Sequence, residues 1–269
     1  MCPTLDPLPD RVPPAAPPTR PAAPFVANAL WLDFVNTRYV ERNRPVDVLV
    51  SFGALVDWLV DAGALTAGDA YTANARWDGT AAGADVLKEA LVFRDTLRDL
   101  AELLATGTAR RKAKSQEERE PEQDGEALES RDQTIPLAMA KAVAAINAIL
   151  RADPRYDQIS LTHPPARGDM SARFERHARR TDFAPLRLLA PLADSASELL
   201  CGGDASRVHR CGNPKCVLYF YDTTRNRRRR FCTPEGCGNR VKAAARYRRS
   251  RESGKAGQVD AGGTRPGRR

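Results

Sequence analysis

The chain has 269 residues and a formal net charge of +8; 42% of its residues are hydrophobic, 28% charged and only 6% aromatic. That length holds one large domain or two smaller ones with a real apolar core, and the low apolar and aromatic fractions fit a folded body carrying polar segments. Residues 201–269 carry 18 Lys+Arg against 5 Asp+Glu, whereas residues 1–200 carry 24 against 29. A basic C-terminal piece on an acidic body is the footprint of a polyanion-binding module and argues against a uniformly basic protein.

Residues 1–24 contain nine prolines and no apolar stretch of signal-peptide length, so a disordered, polyproline-like leader is expected there. No window approaches the roughly 20 apolar residues of a membrane span. No membrane partner and a cytoplasmic setting are therefore expected, with nucleoid association when DNA is bound. In a reducing compartment, clustered cysteines bind metal more often than they form disulfides.

The run 30–37, Leu-Trp-Leu-Asp-Phe-Val-Asn-Thr, reads equally as a buried strand or as the start of a helix. Asn36 and Thr37 suit a cap or turn better than a ligand site. Leu55, Val56, Trp58, Leu59 and Ala62 recur at helical spacing, with a stop at Gly63. A strong amphipathic helix is expected over 85–105, Arg94 being the one charged residue in its apolar stripe. Residues 106–133 are charged and punctuated by Gly and Pro, and read as a flexible insert. A helix over 134–151 follows, then a strand through Tyr156, Ile159 and Leu161 with a partner over 171–177. A last helix over 185–201 starts at Pro185 and ends at Cys201, taken as an apolar packer. The fold class expected is α+β, a mostly helical N-terminal body with a small antiparallel sheet, followed by a small metal-binding module with a basic C-terminal helix.

Four of the six cysteines form the pattern Cys211-x4-Cys216-x15-Cys232-x4-Cys237. Each pair lies in a Gly/Pro turn, which lets two sulfurs converge and turns backbone N–H groups toward them. Four soft thiolates suit one structural zinc ion. Iron shares the ligand set and stays open at this point. His209 is close in sequence but is read as a surface residue.

Between the pairs lie Arg225, Arg227, Arg228, Arg229 and Arg230; after them come Arg240, Lys242, Arg246 and Arg249, expected to share about one broad helix face. A four-thiolate zinc centre carries a formal charge of about −2, which accounts for about two arginines; the surplus points to nucleic acid phosphates. Tyr219, Phe220, Tyr221 and Phe231 are read as the module's small core, with base stacking the alternative. Asn226 and Asn239 are read as turn caps, and Asp222 as an ion-pair or capping residue. His163 and His177 are isolated, and no phosphate loop or nucleophile motif is present, so no catalytic residue is assigned.

The residues Cys-Gly-Asn-Pro-Lys-Cys at 211–216, Phe220 to Asp222, Arg225-Asn226, Arg-Arg-Phe-Cys at 229–232 and Cys-Gly-Asn-Arg at 237–240 resemble the CGNR zinc finger family. The segment 32–37 and the helical body after it resemble the domain that usually precedes this finger, a domain family described as Putative stress-induced transcription regulator. Phe231 stands where that finger often has Trp, and the insert at 106–133 is longer than the family needs. The resemblance implies DNA binding in bacterial transcriptional control. The organisation expected is a leader (1–24), a sensing or dimerising body (25–200), a DNA-binding finger (205–252) and a disordered basic tail (253–269). Double-stranded DNA, a second copy of the chain and a small-molecule effector are the expected partners. An RNA-binding or ribosome-associated protein is the alternative, and an enzyme tethered by the finger a weaker one.

Overall fold

In a computed structural model, which describes residues 23–117, 134–163, 173–180 and 184–259, the run 30–37 is helical. Helix α1 (Leu30–Val35) is only six residues long, too short to persist alone. It is held by burial, with Trp31, Leu32, Phe34 and Val35 all fully inside. A two-residue turn, Arg42-Asn43, then joins strands β1 (Arg38–Glu41) and β2 (Arg44–Asp47) into an antiparallel hairpin. Both turn residues have positive φ, 47° and 66°, as a tight hairpin turn of this kind requires. The hairpin is not evident from sequence because Arg-Asn lacks the glycine that usually marks such a turn.

Ser51 caps helix α2 (Phe52–Asp61), accepting from the Ala54 N–H at 3.1 Å, and Gly63 takes a φ of +69° just beyond its end. Helix α3 (Ala67–Trp77) has no counterpart in the apolar pattern, since it buries only Ala70, Ala73 and Trp77. Its start is chemically marked: the Thr66 hydroxyl accepts from the Asp69 N–H at 3.1 Å.

Helix α4 runs from Ala81 to Glu117. Residues 106–117, expected as part of a flexible insert, are therefore helical. Arg, Lys, Ala, Gln and Glu are strong helix formers, and between 108 and 117 no Gly or Pro interrupts them. The rest of that insert, 118–133, lies outside the described residues, as do residues 1–22 of the leader. Arg94, the charged interruption of the apolar stripe, is 3% exposed and forms a two-pronged pair with Asp47 at 2.7 Å on both arms. Its Nη1 also donates to the Thr37 hydroxyl at 3.0 Å, so the buried charge is fully engaged at that end.

Helix α5 (Thr134–Arg151) leads into β3 (Arg155–His163), which pairs antiparallel with β4 (Arg173–Arg180). This hairpin exposes Ile159, Leu161 and Phe174. The expected helix over 185–201 divides into a 3-10 turn (Pro185–Leu189) and helix α6 (Ala190–Gly202), because Pro191 cannot donate to a continuous ladder. Cys201 is exposed and does not pack; it sits about 200° around the helix from buried Leu199.

Strands β5 (Val208–Arg210) and β6 (Tyr219–Tyr221) pair antiparallel. A single π-turn, Pro234–Gly238, then opens into helix α7 (Asn239–Val259). Residues 253–259, expected as disordered tail, continue this helix; once a helix is started each further residue adds a hydrogen bond at little cost. Residues 260–269 lie outside the described residues. The fold is α+β, mostly helical, and the described residues form three separate two-stranded antiparallel sheets in place of one small sheet. At its centre α1 packs against α4, α6 and β6, and α4 also runs along β5. No helix among the described residues is long and apolar enough to cross a membrane.

Candidate metal centre and nucleic-acid interface

Strand β5 delivers Cys211, and the π-turn delivers Cys237. The four sulfurs of Cys211, Cys216, Cys232 and Cys237 lie within 4.8 Å of one another, and no other such group occurs among the described residues. A tetrahedral zinc with Zn–S of about 2.3 Å requires sulfurs about 3.8 Å apart. The Cys216 and Cys232 sulfurs are 3.8 Å apart, so the donor set fits one such ion. The backbone is already turned toward these sulfurs. The Cys232 N–H donates to the Cys211 sulfur at 3.4 Å, and the Asn213 amide donates to the Cys237 sulfur at 3.3 Å. Gly212 is required by close approach: its N–H donates to the Arg230 carbonyl at 2.8 Å, and a Cβ there would sit 2.9 Å from that same oxygen. Hydrogen bonds from the Cys216 and Cys232 thiols pull the Cys211 thiol down to about 2, and the same contacts push Cys216 up to about 12 and Cys232 upward. The four sulfurs compete for their protons, and ionising all of them at this spacing requires a bound cation.

His209 is half-buried, its ring 5.8 Å from that of Phe220; it lies outside the ligand group and is not the fully surface residue expected. The aromatic residues are core. Phe220 is fully buried against the cysteines, with Leu218 and Phe231 beside it. Tyr219, 4% exposed, belongs to the core of the body. The alternation of β6 therefore places one residue against the metal cluster and its neighbours against the helices.

Asp222 is fully buried and organises the arginine loop. Its carboxylate accepts from the Thr224 N–H at 2.9 Å, the Thr224 hydroxyl at 2.6 Å and the Arg229 N–H at 3.0 Å. Burial opposes ionisation of Asp222, but these donors outweigh it and hold its carboxyl below the usual range. Arg229 departs from the sequence expectation of a nucleic-acid contact, because its side chain turns inward. Its guanidinium donates to the Val26 carbonyl at 2.6 Å, to the Phe231 carbonyl at 3.1 Å and to the Cys232 carbonyl, and stacks 4.3 Å from the Phe220 ring centroid. Its charge faces Cys232, Asp222, Asp33 and Cys211 together. Arg225, Arg227, Arg228 and Arg230 are exposed, with Arg227 paired to Asp204 at 3.1 Å.

The body grips the finger through residues that its own helices supply. The Asn36 amide behaves like a peptide group laid on the open edge of β6: its Nδ2 donates to the Tyr219 carbonyl at 2.8 Å, and its Oδ1 accepts from the Tyr219 N–H at 2.9 Å. The Tyr221 N–H donates to the Ala27 carbonyl at 2.7 Å, and Arg98 donates to the Val217 carbonyl at 3.0 Å. The Tyr219 hydroxyl donates to Glu102 at 2.6 Å; burial and this carboxylate push the phenol up to about 12. Asn36, Arg98 and Glu102 were not identified from sequence as partners of the finger. The available signal was polar residues set in an apolar run at 30–37.

Asp33 completes the contact, accepting from the Val26 and Ala27 N–H groups at 2.9 Å each. Burial raises its pKa from 3.8 to about 6, against the opposing pull of those donors and Arg229. Between about pH 4 and 6 the folded state therefore keeps a proton that the unfolded chain has lost, so stability falls as pH rises through that window. Chemical denaturation of the parent should show this fall, and Asp33→Asn should flatten it; an unchanged slope in the variant would assign the effect to another group.

Helix α7 differs from the single basic face expected of it. At about 100° per residue, Arg240 points roughly opposite to Lys242, Arg246 and Arg249. Lys242, Arg246 and Arg249 are exposed on one side. On the other side, Arg240 and Arg248 line a groove of about 1090 Å³ together with Tyr247, Lys215 of the first knuckle and Arg42 and Asn43 of the β1–β2 turn.

Two family models match the chain: the one described as Putative stress-induced transcription regulator (ABATE) over residues 28–203, and the CGNR zinc finger over 207–250. No curated protein matches it. The first match covers well over half of the sequence and contains α1, α4 and the Asn36 clamp; the second contains all four cysteines. The chain therefore belongs to the ABATE family of Putative stress-induced transcription regulators, and carries a C-terminal CGNR zinc finger.

Proposed function

We propose that the protein is a DNA-binding transcription regulator in which one structural zinc ion, held by Cys211, Cys216, Cys232 and Cys237, fixes an arginine loop and a basic helix for contact with duplex DNA. The observation that carries this reading is the exposure of Arg225, Arg227, Arg228, Arg230, Arg240, Lys242, Arg246 and Arg249 around a compact cysteine cluster. Arg229 is turned inward, whereas these eight cations stand at the surface of the finger. Zinc pre-positions these cations, and their phosphate contacts need no ordering on binding. The ABATE body, residues 25–200, is the part proposed to sense a small-molecule or stress signal or to join two copies. Burial of Tyr219 and Phe220 removes two of the aromatics that single-stranded RNA would stack upon, which favours duplex DNA over the RNA reading.

The test is selection from a random duplex DNA pool with zinc-loaded full-length protein at near-physiological salt. A defined motif, lost on chelation, is the expected result. Binding without enrichment, steeply weakened by salt, would reduce the activity to phosphate contact and turn the search to RNA pools.

A further inference from the structure

The groove beside α7 is built by two parts of the chain that the family models treat separately. One wall is finger: Lys215, Val217, Arg240, Val241, Ala244, Tyr247 and Arg248. The other is body: Tyr39 and the hairpin tip at Val40, Glu41, Arg42 and Asn43. Four cations and a single carboxylate, Glu41, line it, together with Cys216, Cys232 and Cys237 of the metal cluster. Positive charge thus stands on both walls, and the positive-φ turn holds Arg42 and Asn43 out at the tip. The helix is basic on its far side as well, through Lys242, Arg246 and Arg249. Among the described helices and strands it packs mainly on the π-turn from which it starts. A helix cationic on two opposite sides and standing clear of the body matches the major groove of duplex DNA, which is about 12 Å wide and bounded by a phosphate strand on each side.

Resting on the DNA-binding reading, we propose that the β1–β2 hairpin is a second DNA-contacting element, and that one phosphate strand of the duplex lies in the groove between its tip and α7. Arg42 and Lys215 then neutralise phosphates on the side where Arg240 and Arg248 face, while Lys242, Arg246 and Arg249 meet the other strand. The body is not a remote sensor in this arrangement. It supplies part of the footprint, and its seating against the finger sets the width of the slot.

The experiment is the salt dependence of duplex binding by the zinc-loaded full chain, comparing the parent with Arg42→Gln, Lys215→Gln, Arg246→Gln and the distant surface control Arg76→Gln. Each lost phosphate contact makes the slope of log K against log salt shallower by about one. Arg42→Gln and Lys215→Gln are expected to show that change together with loss of backbone protection along one strand, with unaltered thermal unfolding and zinc content. If Arg246→Gln alters the slope while Arg42→Gln and Lys215→Gln match the parent, the hairpin proposal is overturned and the DNA-binding reading stands. If none of the three differs from the Arg76→Gln control, both fall.

Discussion

Replacing Cys232 by serine should abolish tight zinc binding and unfold the finger, leaving the helical body folded. The finger has little else to hold it: apart from the cysteines, its own buried cluster rests on Leu218 and Phe220 with Phe231 partly covered. Structural zinc contributes on the order of 10–16 kcal/mol to such small modules at neutral pH, which a core of that size cannot replace. Serine nearly keeps the volume but lacks a thiolate, and its hydroxyl is a poor fourth donor beside three soft sulfurs. Metal analysis of the parent should give one equivalent per chain. Far-ultraviolet dichroism of the variant should lose the contribution of α7, and duplex DNA binding should vanish. Full zinc occupancy in Cys232→Ser would show the four-thiolate arrangement to be wrong.

Asn36→Ala is expected to loosen the seat of the finger on the body without touching a ligand. It strips both partners from the Tyr219 peptide group on the edge of β6 that β5 does not cover. A buried backbone group left without a partner costs about 1–3 kcal/mol. Two such losses amount to roughly 2–6 kcal/mol, or a fall in Tm on the order of 4–24 °C for a chain of this size. Zinc content should persist, because no ligand is touched. Hydrogen exchange at Tyr219 should accelerate while α5 and α6 remain protected. A Tm equal to that of the parent would mean that Asn36 serves only to end α1.

How much of this was legible in the sequence depended on the range of the interaction. The ligand set could be read because two short cysteine spacings, each within a Gly/Pro turn, act locally. The apolar stripe of α4 was equally plain, since Val86, Ala90, Leu97, Leu100, Ala101 and Leu104 recur at helical spacing over 85–105. Helix α3 escaped notice because it buries only three residues, and β1–β2 because Arg42-Asn43 makes a tight turn without glycine. The failure at Arg229 has a different origin. In sequence it is one arginine among four consecutive ones at 227–230, and only the position of Val26, 203 residues away, shows that it points inward. The clamp on β6 is likewise a contact across 183 residues, which no local pattern encodes. The two sides of α7 were available from helical geometry alone. Arg240 and Lys242 lie two residues apart and hence about 200° around the axis, so they could not have shared a face.

Strand β6 presents Phe220 to the cysteine cluster and Tyr219 to the helices, while Tyr221 binds the chain near Ala27. Part of the finger's covering surface therefore belongs to another stretch of the polypeptide. Such a unit is a poor cassette. Excised, it would bare a tyrosine ring and an unpaired strand edge; spliced behind an unrelated domain, it would lack the amide and guanidinium groups that seat it. Exchange of fingers between relatives should succeed only when the segments around Asn36, Arg98 and Glu102 travel with them, which makes the pair, and not the finger, the unit that recombination can shuffle.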